Sequence, residues 1–199
     1  MQDLDVNTLF VATIIIVFGA LVTLFSQWRT QTRYKGAGFW VIGMTSIVVG
    51  YLLLWLRGDI DDFFSIIVGN LAILCGLIII LRGTSVFAGR LPSKPIELFL
   101  VPITALLFLY FTYVDSNAGI RIIILSLSTI VVTVAIVITL LRDRSKPWWS
   151  AGCGVATIFG LLGISMLVRI PLTLLETSDY SFEQAPAADA AVFLFLIFI

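Results

Sequence analysis

The sequence predicts an all-α integral membrane bundle of seven transmembrane helices, and three observations carry that reading. First, 60% of the 199 residues are apolar and only 12% are charged, where a soluble domain carries about 25% charged residues. Second, the apolar residues form long continuous runs rather than the short alternating segments of a β-barrel. Third, lysine and arginine gather on one side of those runs. Mean hydropathy is +1.11.

Span one runs from Leu9 to Ser26, and it follows an acidic start, Met1-Gln2-Asp3-Leu4-Asp5. A secretory signal peptide begins with positive charge, so span one is read as a permanent helix. Span two runs from Ala37 to Leu56, span three from Phe63 to Leu81 and span four from Ile96 to Val114. Span five runs from Ile120 to Leu141 and span six from Ser150 to Ile170. Each is close to the ~20 residues needed to cross ~30 Å of hydrocarbon. The seventh run, Ala187 to Ile199, covers only ~20 Å as a helix. It would leave a carboxylate inside the membrane. The expectation is a truncated seventh helix that continues into a cytoplasmic domain after Ile199; the alternative is a short C-terminal half-helix.

Charge placement orients the chain. Arg29, Arg33, Lys35, Arg82, Arg90, Lys94, Arg142, Arg144 and Lys146 follow spans one, three and five, and they are nine of the twelve basic residues. The positive-inside rule puts them in the cytoplasm, with the N-terminus outside and the C-terminus inside. The opposite side holds ten of the twelve acids and three arginines: Arg57, Arg121 and Arg169. Trp28, Trp40, Trp148 and Trp149 stand at the cytoplasmic ends and Trp55 at the outer end, as interfacial anchors do. The remaining long connection, Pro171 to Pro186, reads as an acidic outer linker or as a lid built on Leu172, Leu174, Leu175, Tyr180 and Phe182.

Catalysis has poor material. The chain has no histidine, which removes the commonest general base and metal ligand. It has no Gly-rich phosphate loop and no carboxylate pair inside a span. Cys75 and Cys153 lie within apolar spans and read as small buried side chains. No metal, cofactor or disulfide is expected. A formal net charge of zero argues against nucleic acid. A retinal Schiff base needs a lysine within a span, and Lys35, Lys94 and Lys146 all sit at span ends.

The outer arginines are the candidate binding residues. Arg57 ends span two, Arg121 opens span five and Arg169 ends span six, so all three lie at one depth. They either snorkel and pair with the outer acids or form a basic pocket for an anionic or carbonyl-bearing ligand, which guanidinium forks suit. Asn70 lies about two turns below the outer end of span three. It makes an interhelical hydrogen bond or floors that pocket, with Trp55 and Tyr51 as walls. Gly152, Ala156 and Gly160 recur every four residues in span six, as do Ser46 with Gly50 and Ala72 with Gly76. Small residues at this spacing serve helix packing within the bundle or a dimer seam. Pro102 interrupts the hydrogen-bond ladder of span four and is a candidate kink.

The segments Leu4-Asp5-Val6-Asn7-Thr8-Leu9-Phe10, Gly38-Phe39-Trp40, Leu56-Arg57-Gly58, Asp62-Phe63-Phe64-Ser65-Ile66-Ile67-Val68-Gly69-Asn70, Arg82-Gly83 with Phe87, and Arg169 form a pattern. It resembles the N-terminal membrane sensor region of bacterial diguanylate cyclases, the GGDEF-domain proteins. The likeness covers most of the chain and is best over residues 1 to 90. It implies one sensor domain over residues 1–199 in the bacterial inner membrane, a last helix running into a cytoplasmic cyclase, and a homodimer. Such regions also precede other output domains, histidine kinases among them, and the GGDEF motif itself is absent from these residues. A small transporter or channel subunit and a passive membrane anchor are the competing expectations.

Overall fold

The computed structural model describes residues 6–30, 35–91 and 94–175. Among these every regular element is helical: α1 (Val6–Thr30), α2 (Ala37–Trp55), α3 (Phe63–Phe87), α4 (Lys94–Tyr113), α5 (Ala118–Leu141) and α6 (Trp149–Leu175). All six are long and apolar enough to cross a membrane. The expected seventh helix and the acidic segment from Glu176 onward lie outside the described residues.

Each helix leans against a chain neighbour: α1 on α2, α2 on α3, α3 on α4, α4 on α5 and α5 on α6. One further contact, α3 on α5, closes the bundle. This makes α3 the central helix. Its Leu74, Leu77, Ile78, Ile80 and Leu81 form the core with Ile47 of α2, Val132, Ile136 and Leu140 of α5, and Ala156 of α6. Leu74, Val132 and Ile136 are wholly enclosed. Large apolar side chains cover the outside of the bundle, Ile15, Leu98, Leu106 and Leu167 among them. In water such a surface would drive association, whereas against lipid tails it has no such penalty.

With no hydrophobic gain between helices in lipid, close backbone approach must hold the bundle. The α2–α3 pair achieves it with glycines seven residues apart, a spacing that returns to nearly the same helix face. Gly43 stands against Gly76 and Gly50 against Gly69. At the end of the seam Gly36, with φ +104°, stands against Gly83. A Cβ on Gly43 would lie 2.6 Å from the Gly76 carbonyl oxygen, and one on Gly50 would lie 2.7 Å from that of Gly69. Between these pairs the Ser46 hydroxyl donates to the Ala72 carbonyl at 2.7 Å. Ser46, Gly50, Ala72 and Gly76 do pack closely, therefore, but the governing period is seven rather than four.

The α5–α6 pair is looser. Gly152 and Ala156 are buried, and a Cβ on Gly152 would meet Trp148 and Leu140. Gly163 approaches Thr133 of α5, where a Cβ would lie 3.0 Å from the hydroxyl oxygen. Gly160 faces open space. The close contacts of α6 thus come from Gly152, Ala156 and Gly163. Two polar contacts tie α4 to α5: Thr104 and Ser128 hydroxyls at 2.9 Å, and Arg121 Nη1 donating to Thr112 Oγ1 at 3.2 Å.

Two local features depart from the hydropathy reading. First, α6 does not stop before Pro171; it runs through that proline to Leu175. Proline costs one main-chain hydrogen bond, and neighbouring hydroxyls re-satisfy helices of this kind. The carbonyl that Pro171 leaves without its N–H is that of Leu167; the Thr173 hydroxyl makes a different bond, to the Arg169 carbonyl at 2.9 Å. Helix α4 likewise continues through Pro102. Second, α3 opens as a π-helix over Phe63–Val68 before continuing as α-helix over Gly69–Phe87.

Candidate functional site

The two ends of the bundle differ in charge and in aromatic content. One end gathers Arg29, Lys35, Arg82, Arg90, Lys94, Arg142, Arg144 and Lys146 on the closing turns of α1, α3 and α5 and the opening turns of their partners. Four of the five tryptophans are also here. Trp40 stacks on Phe87 and Phe87 on Trp148, with ring centroids 5.4 and 5.2 Å apart. Trp28 packs beside Gly38, and Arg144 lies over the Trp149 ring. Trp40 Nε1 donates to Thr84 Oγ1 at 3.3 Å. The two acids at this end are both engaged. Glu97 pairs with Arg82 at 3.5 Å, and Asp143 accepts from the Ser145 hydroxyl at 2.7 Å and from its main-chain N–H at 3.2 Å. Those bonds from Ser145 hold the Asp143 carboxyl below the ordinary aspartate range.

The opposite end is built around the α2–α3 turn. Helix α2 stops at Trp55. The chain reverses at Gly58, whose φ of +99° suits glycine alone, and Arg57 and Ile60 pair across the turn. Asp61 then starts α3: its carboxylate accepts from the Phe63 N–H at 2.8 Å, and its carbonyl accepts from Phe64 and Ser65. The start of α5 lies at the same end, where Arg121 is within electrostatic range of Arg57 and Asp62 of this turn. There Asn117 caps the helix by accepting from the Ile120 N–H at 3.1 Å.

This arrangement brings two of the predicted arginines, Arg57 and Arg121, toward one another. Arg121, half-buried at the start of α5, lies within electrostatic range of both Arg57 and Asp62. Arg169, near the end of α6, lies within electrostatic range of the Tyr51 hydroxyl on α2. Three guanidinium groups on three separate elements thus share one end with a carboxylate and a phenol. Among the described residues no carboxylate lies within 4.0 Å of Arg121. Among the described residues its hydrogen-bond partner is the neutral Thr112 hydroxyl. A guanidinium has five N–H donors, so most of Arg121's donor capacity is open to an added acceptor.

Tyr51 is half-buried and packs against the core. Trp55 is 47% exposed and stands at the rim of this end, apart from the other four tryptophans. Among the described residues Asn70 makes its side-chain hydrogen bond within its own helix rather than across helices or to the arginines: its Nδ2 donates to the Ile66 carbonyl at 2.6 Å. Residues the sequence reading did not single out are Thr112 and Ser65, the latter wholly enclosed at the top of α3. Asp62 was visible in the sequence as an acid close to Arg57. Thr112 has no sequence signal until the pairing of α4 with α5 is known. No family model, curated protein or solved structure matches this chain.

Proposed function

We propose that the chain is a membrane-embedded sensory input domain that binds a small anionic or carbonyl-bearing ligand at its outer face. The observation that carries this reading is Arg121, half-buried at the end that also holds Arg57 and Arg169, within electrostatic range of Arg57 and bonded to the neutral Thr112 hydroxyl rather than ion-paired among the described residues. In such a site a carboxylate or phosphate gains charge-assisted, bidentate hydrogen bonds. The basic, tryptophan-rich end is cytoplasmic, the N-terminus is outside, and the membrane is a bacterial inner membrane. A seventh helix over Ala187–Ile199 carries the signal inward to an output domain, which the sequence resemblance makes a diguanylate cyclase working as a homodimer. Ligand binding drives this only through unequal affinity for two bundle arrangements.

The test is cyclic dinucleotide output of the full-length protein with each arginine changed in turn to alanine. Altered basal or stimulated output in Arg121→Ala supports the reading, and unchanged output in all three variants overturns it. The transporter reading has less support, because three of the buried hydroxyls of α4 and α5 are used within the bundle, Thr104 with Ser128 and Thr133 with the Thr129 carbonyl, while the enclosed Ser126 hydroxyl has no partner among the described residues. Flux through reconstituted vesicles would favour it. Preserved regulation after exchange for an unrelated anchor would favour a passive role.

A further inference from the structure

The π-helical opening of α3 poses a hydrogen-bonding problem. A π-helix bonds each carbonyl to the fifth residue on, and an α-helix to the fourth. Where one passes into the other, main-chain donors and acceptors fall out of step, and a carbonyl is passed over. An unmet carbonyl in a hydrocarbon setting is strongly unfavourable, because no water is there to bond it. The junction here is at Val68–Gly69, where the Gly69 N–H still bonds five residues back to Phe64. Asn70 is the next residue, and its side-chain amide donates to the Ile66 carbonyl at 2.6 Å. After the Gly69–Phe64 bond, α spacing takes the Asn70 main-chain N–H to Ile66, so the carbonyl passed over is Ser65's; the Asn70 side chain adds a second donor to Ile66, the first carbonyl beyond the change of step.

The same turn carries the charged groups of the outer end. Asp61 and Asp62 immediately precede it, Arg57 lies on the same connection, and Asp62 and Arg57 are the charges that Arg121 senses. A change of winding over Phe63–Val68 would rotate and displace these groups relative to α5. The buried Ser65, Ile66 and Ile67 face inward from this segment, so the winding also decides which side chains the core receives.

We propose that Asn70 is a positioning residue for the arginine end: by donating to the Ile66 carbonyl it holds the first turn of α3 in its π-helical form, and that turn sets where Arg57 and Asp62 stand relative to Arg121. The inference rests on the reading of this end as an anion site. It assigns Asn70 a role one step removed from the ligand, through the winding of the helix rather than through contact.

The experiment uses the protein in lipid nanodiscs and succinate as the probe. Amide hydrogen exchange over residues 63–69 is compared in wild type, Asn70→Leu, Asn70→Gln and Thr139→Val. Thr139 is the control because its hydroxyl bonds the Ala135 carbonyl of its own helix at 2.7 Å with no π-helical turn nearby. Loss of one such bond raises local exchange by about five- to tenfold. The expected result is that rise in Asn70→Leu, confined to residues 63–69, with part of it recovered in Asn70→Gln and none of it seen over 63–69 in Thr139→Val. Succinate affinity, measured by calorimetry, falls in Asn70→Leu by a similar factor. Unchanged exchange over 63–69, or a rise spread along all of α3, overturns the proposal. So does wild-type succinate affinity in a variant whose turn has loosened. If succinate fails to bind even wild type, the anion reading of the arginine end fails, and the exchange comparison still decides whether Asn70 holds the turn.

Discussion

Gly43 and Gly76 meet so closely across the α2–α3 seam that a Cβ on either would lie within 2.6 Å of the other's carbonyl oxygen. Nothing larger than hydrogen fits without moving a helix backbone. Overpacking of this kind costs about 1–3 kcal/mol, and here the obstructing atoms are main-chain rather than the end of a flexible side chain.

Gly43→Ala and Gly160→Ala therefore form a matched pair. Both replace a helical glycine by alanine within a span, but Gly160 faces open space. Gly43→Ala is expected to destabilise the bundle by about 1–3 kcal/mol. Gly160→Ala is expected to stay within about 0.5 kcal/mol of wild type. Unfolding in mixed detergent micelles measures both, and equal effects would contradict the seam.

The hydroxyl pair Thr104–Ser128 tests whether α4 is held to α5 by polar contacts. Interhelical hydrogen bonds in membranes contribute about 0.6 kcal/mol on average. A double-mutant cycle with Thr104→Val and Ser128→Ala is expected to give a coupling of that order. A coupling indistinguishable from zero would mean that the two hydroxyls merely sit together.

The Arg82–Glu97 pair links α3 to α4 at the basic end. Arg82 is half exposed while Glu97 is largely covered, with side-chain exposures of 51% and 20%. Solvent around the arginine limits the coupling to about 0.2–1 kcal/mol. Removing the partners is expected to be unequal: Arg82→Ala leaves a covered carboxylate unpaired, whereas Glu97→Gln leaves an arginine that water can reach. The thermal midpoint should fall further in Arg82→Ala than in Glu97→Gln.

Orientation is open to a direct labelling test. With Cys75 and Cys153 changed to alanine, a membrane-impermeant maleimide in spheroplasts is expected to label Asp59→Cys at the arginine turn. It should label Leu91→Cys, which is 92% exposed in the native chain, only after lysis. The reverse pattern would invert the proposed topology.

The sequence made the six described helices legible because hydropathy reports the solvent of a whole segment, and a span needs little else. It also put Arg57, Arg121 and Arg169 toward the same end, but the expectation that Arg169 closes its span does not hold, because α6 continues beyond it to Leu175. Which helices touch is not a property of any one span. The seven-residue match of Gly36, Gly43 and Gly50 to Gly83, Gly76 and Gly69 emerges only when α2 and α3 are laid side by side. The continuation of α6 past Pro171 was missed because a proline reads as a boundary in water, where it is more damaging than in a packed membrane helix. The π-helical start of α3 was invisible for a different reason: it is a choice of hydrogen-bond partner, and apolar residues such as Ile66 and Ile67 accept either winding. Asn70 was singled out as a buried amide, but its partner was sought across helices when it lies four residues back.

The matched glycines have a mechanical consequence. Three slots at fixed intervals, each just wide enough for a bare backbone, act like the teeth of a rack. A shift of α3 along α2 by a single residue would drive Asn70, Leu77 or Thr84 into a slot that admits no side chain. Axial sliding within this hairpin is blocked, and α2 and α3 travel as one stiff rod. A displacement at the Arg57 turn then arrives at Trp40 and Arg82 as a swing of the rod's far end rather than as a piston stroke.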